Sequence, residues 1–146
     1  MLFGDVTRCL FCATVDGSIF AHPDFRLAFG DIGKNFVLGE TSNFIVIPGI
    51  GQLVEGYLQI VSKEHYCSTA TVPGYFFDEL DNLMGKTRDI LRQYYSTPIF
   101  FEHGPIASSR NAGNSINHLH IHALPVEINL IQILATCFEG RKMSCF

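Results

Sequence analysis

The spacing of apolar positions changes along the chain, and the changes mark out its elements. Up to residue 35, short apolar pieces are mixed with Gly, Pro and Asp, which predicts an irregular N-terminal region with one short strand over 18–21. Brief runs rich in Phe, Val and Ile at 36–39 and 43–47 have strand character. The stretch Pro48-Gly49-Ile50-Gly51-Gln52 reads as a loop, and Gly56-Tyr57-Leu58-Gln59-Ile60-Val61-Ser62 as a buried strand that ends at Lys63. After Pro73 the period lengthens. Phe76, Phe77, Leu80, Leu83, Met84, Thr87, Ile90, Leu91 and Tyr94 recur at three and four, the stripe of an amphipathic helix with Pro73 placed for its first turn. A strand over 98–102, a loop rich in Gly, Ser and Asn over 103–114, and a further strand come next. Apolar residues at 130, 131, 134, 137 and 138 then predict a shorter C-terminal helix within 127–138. Strands, one long helix and strands again describe an α+β fold on an antiparallel sheet of about five strands.

A length of 146 residues is enough for one domain, expected over 1–146, to bury its own core without help from disulfides. The composition, 47% hydrophobic with 13 Phe and no Trp, suits a globular chain rather than a disordered one. The net charge of −4 argues against a nucleic-acid polymer as partner, since neutralising many phosphates takes clustered Lys and Arg. Small anions remain open to it, because a local pocket can be positive on an acidic protein. No apolar run approaches the roughly 20 residues that span a bilayer, so no membrane is expected. The opening stretch MLFGDVTRCLFCATVDGS lacks the basic and apolar regions of a secretory signal. With five cysteines in no regular framework, it fits reduced thiols and a cytoplasmic setting.

The strand that follows the polar loop changes the picture. Asn117-His118-Leu119-His120-Ile121-His122-Ala123-Leu124-Pro125 places half of the chain's six histidines within five residues. Alternation sends His118, His120 and His122 to one face of a strand and Leu119, Ile121 and Ala123 to the other, where the core is expected. A rise of about 3.3 Å per residue separates His118 from His122 by roughly 13 Å. Zinc holds nitrogen at about 2.0–2.1 Å, so one ion shared by all three would demand a sharply bent strand. The three are therefore expected to divide their roles. The bland alternative is a row of partly exposed histidines on a polar sheet face.

Cys9-Leu10-Phe11-Cys12 adds a C-x-x-C pair, which presents two thiolates to one tetrahedral ion but equally serves redox chemistry or plain burial. No second C-x-x-C follows. Any further ligands must come from far along the chain, and the histidines are natural candidates.

Together these segments resemble the histidine triad (HIT) superfamily, in its zinc-carrying branch. His118-Leu119-His120-Ile121-His122-Ala123-Leu124 satisfies the signature His-φ-His-φ-His-φ-φ, with φ apolar. The stretch from Gly56 to His65 is similar to the family's Gly-His-x-Leu-φ-φ-Pro-Lys-x-His strand, and Cys9-Leu10-Phe11-Cys12 to its Cys-φ-Phe-Cys opening. Phe100-Phe101-Glu102-His103-Gly104 falls where the family has a strand leading into a phosphate-binding loop. The resemblance implies a nucleotide hydrolase or nucleotidyltransferase acting on a phosphoanhydride, phosphoramidate or sugar-nucleotide bond. His120 would be the nucleophile of a covalent nucleotidyl-histidine, His122 its supporting partner, and Asn114 and Ser115 phosphate contacts. It also implies a structural zinc on Cys9, Cys12, His65 and His118, a small nucleotide or nucleotide conjugate as ligand, and a homodimer.

The sequence departs from that pattern at Tyr57, where many members have histidine, and at Ser62, which replaces a common proline. Short members also carry an acidic residue for ribose hydroxyls in the loop before the Gly-His strand. Residues 48–54 offer none, which leaves Glu40, Asn43 or Glu55 as substitutes. Two rival functions stay open. One is a non-catalytic nucleotide-binding module; the other is a hydrolase whose metal sits on two triad histidines. His103 has two open roles, lining the pocket or hydrogen-bonding within the loop, of which the second is expected.

Overall fold

The computed structural model describes residues 9–103, 116–129 and 132–133. Its helices are α1 (Leu10–Val15), α2 (Pro23–Phe29) and α3 (Phe76–Tyr94). Its strands are β1 (Gly39–Glu40), β2 (Phe44–Pro48), β3 (Leu58–Ser62), β4 (Pro98–Glu102) and β5 (His120–Pro125). The expected C-terminal helix over 127–138 lies mostly outside the described residues, of which 132 and 133 are helical.

All five strands join one antiparallel sheet in the order β1-β2-β3-β5-β4. β5 inserts between β3 and β4, so the histidine strand is central and has a partner on each side. The fold class read from the sequence therefore stands: α+β on an antiparallel sheet, with one long helix.

Phe44, Ile45, Val46 and Ile47 of β2 are all buried, which requires cover on both faces of the sheet. Phe44 and Val46 join Ile60, Leu119 and Ile121 against Phe76, Leu80 and Leu83 of α3. Ile45, Ile47 and Val61 face the other way, against Phe11, Ala13, Ile19, Phe25 and Phe36. The N-terminal region is thus a second packed layer rather than the irregular segment expected. Helices of six and seven residues are under two turns long, too short to display a 3.6-residue period. Aromatic contacts hold this layer together: the Phe25 ring lies 5.4 Å from Phe20, 4.8 Å from Phe29 and 5.1 Å from Phe36.

Local corrections have local causes. Ser18–Ala21 forms a 3-10 turn, not a strand, because Gly17 takes a left-handed φ of 79° and Asp16 accepts from the Ser18 amide at 2.9 Å. Another 3-10 turn, Gly33–Phe36, occupies the start of the strand expected over 36–39, leaving the two-residue β1. Strand β3 starts at Leu58, two residues after Gly56. Helix α3 begins at Phe76, so Pro73 precedes it, with its carbonyl accepting from the Phe76 amide at 3.0 Å.

The buried stripe of α3 is Phe76, Leu80, Leu83, Thr87 and Leu91, narrower than the apolar pattern. Phe77, Ile90 and Tyr94 are exposed. Thr87 satisfies its buried hydroxyl by donating to the Leu83 carbonyl at 2.8 Å. No described helix is long and apolar enough to cross a membrane.

Candidate active site and metal centre

Strand β5 starts at His120, so His118 is not the strand residue that alternation predicts. The chain bends there: the His118 amide donates to the Ile116 carbonyl at 2.8 Å, and the Leu119 amide to the Tyr66 carbonyl at 2.6 Å. This bend breaks the common face. It aims the fully buried His118 ring at the N-terminal layer, while His120 and His122 stay on the sheet.

Hydrogen-bond bookkeeping then fixes a different proton position on each ring, since a carbonyl only accepts. His118 Nε2 lies 2.7 Å from the Ser62 carbonyl and carries the proton, leaving the Nδ1 lone pair free. That lone pair faces Cys9 Sγ at 3.4 Å and Cys12 Sγ at 3.5 Å. For His120 the order reverses: Nδ1–H donates to the His118 carbonyl at 2.6 Å, and the lone pair is on Nε2. His122 Nδ1 meets the Tyr57 hydroxyl.

His65 completes the first group, its Nδ1 being 3.3 Å from Cys12 Sγ. One donor atom from each of Cys9, Cys12, His65 and His118 lies within 4.8 Å of the other three. Tetrahedral zinc at the usual Zn–S and Zn–N lengths separates its sulfur and nitrogen ligands by about 3.6 Å. The S···N distances of 3.3–3.5 Å fit that spacing, and the free Nδ1 of His118 is the nitrogen that points the right way.

Phe11, between the two cysteines in sequence, reaches from the Cys9, Cys12, His65 and His118 group to the sheet histidines. Its ring lies 5.7 Å from His118 and 4.9 Å from His120. The histidine face is therefore not a polar sheet face but a covered one. Burial is the main reason that the His120 pKa lies below the ordinary 6.5; His103 lowers it further, while the His118 carbonyl and Glu102 pull the other way. His122 is pushed down to about 4, first by burial and then by His120 and His103. His118 also falls to about 4, again through burial first. Desolvation outweighs the mutual repulsion of the imidazoles.

The register defines the surroundings of His122. His122 lies between Gln59 on β3 and Phe101 on β4, and the Phe101 ring stacks on it at 4.5 Å with 6° between planes. Continuing the β4–β5 pairing one step past Glu102↔Ile121 sets His103 opposite His120. His103 thus belongs to the triad's surroundings, consistent with its influence on both pKa values. The period of two was the available signal, since 101 and 103 share a face as 120 and 122 do.

No family model matches the sequence, and no curated protein matches it. Solved structures do. A zinc-bound histidine triad family protein from Mycobacterium smegmatis superposes with a TM-score of 0.59 at 18% identity, over 83% of this chain and 76% of that one. A HIT family hydrolase from Legionella pneumophila gives 0.56 at 18% identity, covering 94% and 96%. One from Clostridium thermocellum gives 0.57 at 16% identity, covering 85% and 96%.

The chain has the histidine triad fold. Within it, Cys9, Cys12, His65 and His118 converge as one group, and His120 and His122 are neighbours with ring centroids 4.8 Å apart. Asn114 and Ser115 lie outside the described residues. Two of the substitutes for the missing acidic residue are engaged elsewhere. Glu40 pairs with Lys63 at 2.6 Å, and Asn43 donates to Glu79 through its amide nitrogen at 2.8 Å and its side chain at 2.5 Å.

The depressed His122 pKa makes stability depend on pH in a definite direction. Between its unfolded value of 6.5 and its folded value of about 4, the unfolded chain binds more protons, so acidification favours unfolding. In metal-stripped protein the melting temperature should fall from pH 7 to pH 5, and fall less in the His122→Gln variant. Parallel pH profiles for the two proteins would overturn the assignment.

Proposed function

We propose that the protein is a nucleotide hydrolase or nucleotidyltransferase that works through a covalent nucleotidyl-histidine on His120. The observation that carries this reading is the pairing of His120 Nε2, an unprotonated nitrogen, with the adjacent His122. His120 Nε2 attacks the α-phosphorus; a P–N bond forms as the bond to the leaving group breaks. The imidazole then carries a positive charge, and the His118 carbonyl, already accepting from Nδ1–H, stabilises it. Water or another acceptor attacks phosphorus next, releasing the nucleotide and restoring the neutral ring. His122 supports the step by hydrogen bonding to phosphoryl oxygens. The pKa depression of His120 supports the same reading, since a neutral ring is the nucleophile. Asn114 and Ser115 are assigned as phosphate donors, and the ligand as a small nucleotide or nucleotide conjugate. The described thiols suit a cytoplasmic setting.

The decisive assay compares wild type with His120→Gln on nucleoside phosphoramidates and dinucleoside polyphosphates. Turnover should drop by at least about a thousandfold in the variant. Equal rates would overturn the mechanism. Calorimetric binding of nucleotide by wild type without turnover would favour the binding-module reading, whose motive is the loop without an acidic residue.

The Cys9, Cys12, His65 and His118 group is assigned to zinc. A Cys2His2 set fills all four positions, so the ion is structural: it ties the N-terminal layer to the loop before β5. Elemental analysis of protein purified without chelators should find one zinc per chain, lost in Cys12→Ser. A zinc-free wild type would remove the assignment.

The same reading includes a homodimer. Strand β4 is an edge of the described sheet, whose unpaired backbone groups a second copy would extend. Light scattering should give twice the chain mass of 16.3 kDa, and a monomer would refute it.

A further inference from the structure

His122 is held by more than the strand it lies on. Its Nδ1 meets the Tyr57 hydroxyl, and that same oxygen is 3.0 Å from Gln59 Nε2. The orientation of the Gln59 amide follows from its other end: Oε1 accepts from the Ile50 amide at 3.4 Å. Gln59 Nε2 can only donate. The phenol oxygen therefore accepts from Gln59, and its single proton is left for His122 Nδ1. A ring whose Nδ1 accepts carries its proton on Nε2.

The Tyr57 ring has little freedom to break this arrangement. It is 2% exposed, and a Cβ on Gly49 would overlap its Cγ, Cδ1 and Cε1 atoms. Only glycine at 49 leaves room for the ring. The Gly49 amide in turn donates to the Tyr57 carbonyl at 2.9 Å, clamping loop to strand. Burial raises the phenol pKa above its ordinary value, so the hydroxyl keeps its proton across the neutral range. Phe101, parallel to the imidazole at 4.5 Å, restricts ring rotation from the β4 side.

We infer that Tyr57 is a positioning residue that fixes the tautomer of His122, through a Gln59–Tyr57–His122 hydrogen-bond chain seated on Gly49. The chain gives the two sheet histidines opposite outer nitrogens. His120 offers an Nε2 lone pair, and His122 offers an Nε2–H donor for the oxygens of the phosphoryl group. A second lone pair there would repel those oxygens. The consequence for turnover rests on the proposed function above, whereas the tautomer itself does not.

The test removes one oxygen atom. Tyr57→Phe keeps the ring over Gly49 and takes away only the hydroxyl. Nitrogen-15 NMR of the imidazoles, with His122 identified by its absence in His122→Gln, should find Nδ1 unprotonated and Nε2 protonated in wild type. In Tyr57→Phe the same ring should average both tautomers. With a nucleoside phosphoramidate, kcat should fall roughly 10- to 100-fold at nearly constant KM, the cost typical of losing a supporting hydrogen bond. Gly49→Ala keeps the hydroxyl but displaces the ring, and it should reproduce the mixed tautomer. A wild-type His122 protonated on Nδ1, or an unchanged tautomer in Tyr57→Phe, would overturn the inference. The NMR result stands whether or not any substrate turns over, so its failure is separable from failure of the proposed function.

Discussion

The site depends on the hydrogen bonds around one residue, His118. Its Nε2–H is committed to the Ser62 carbonyl on β3, which turns Nδ1 toward Cys9 and Cys12. Its own carbonyl accepts from His120 Nδ1 and so decides which nitrogen of His120 is free. One side chain therefore joins the N-terminal layer to the sheet, and one carbonyl orients the neighbouring histidine. Moving this ring would alter both the metal-ligand group and the tautomer of His120.

Cover follows from the same connection. The cysteines bracket Phe11, and their convergence on His118 brings that ring against His120. Water is excluded from an imidazole at the centre of a sheet, and desolvation becomes the largest influence on its pKa. The alternative cause, repulsion between neighbouring imidazoles, acts in the same direction but is weaker at His118, His120 and His122 alike. Burial under the packed N-terminal layer therefore does more than charge repulsion to keep these rings neutral.

Long, periodic elements were legible in the sequence, and short ones were not. Helix α3 and strands β2, β3 and β4 follow patterns long enough for their period to be read. The N-terminal helices are below that length, and their aromatic residues look like scattered apolar pieces until the fold gathers them on Phe25. The placement of His118 apart from His120 and His122 was readable from the strand rise, because three rings spread over five residues do not meet at one point. The bend at His118 was not, since it arises from the Ile116 and Tyr66 carbonyls rather than from any breaker residue. The stacking of Phe101 on His122 was hidden for a related reason, since only the β4–β5 register shows it, and the same register favours the pocket-lining role for His103 over the loop role.

Tyr57 and Gly49 form one steric unit. Tyr57 stands where many members have histidine, and the loop before it has no acidic residue. The phenol ring occupies the space that a side chain on Gly49 would fill, so no residue larger than glycine fits there beside it. The larger ring brings its hydroxyl to His122, and Gln59 holds that hydroxyl from behind. Gly49 in the loop and Gln59 on β3 thus both serve a buried hydrogen-bond chain that ends on His122. A change at Gly49 in the loop is therefore felt at His122 through the Tyr57 ring.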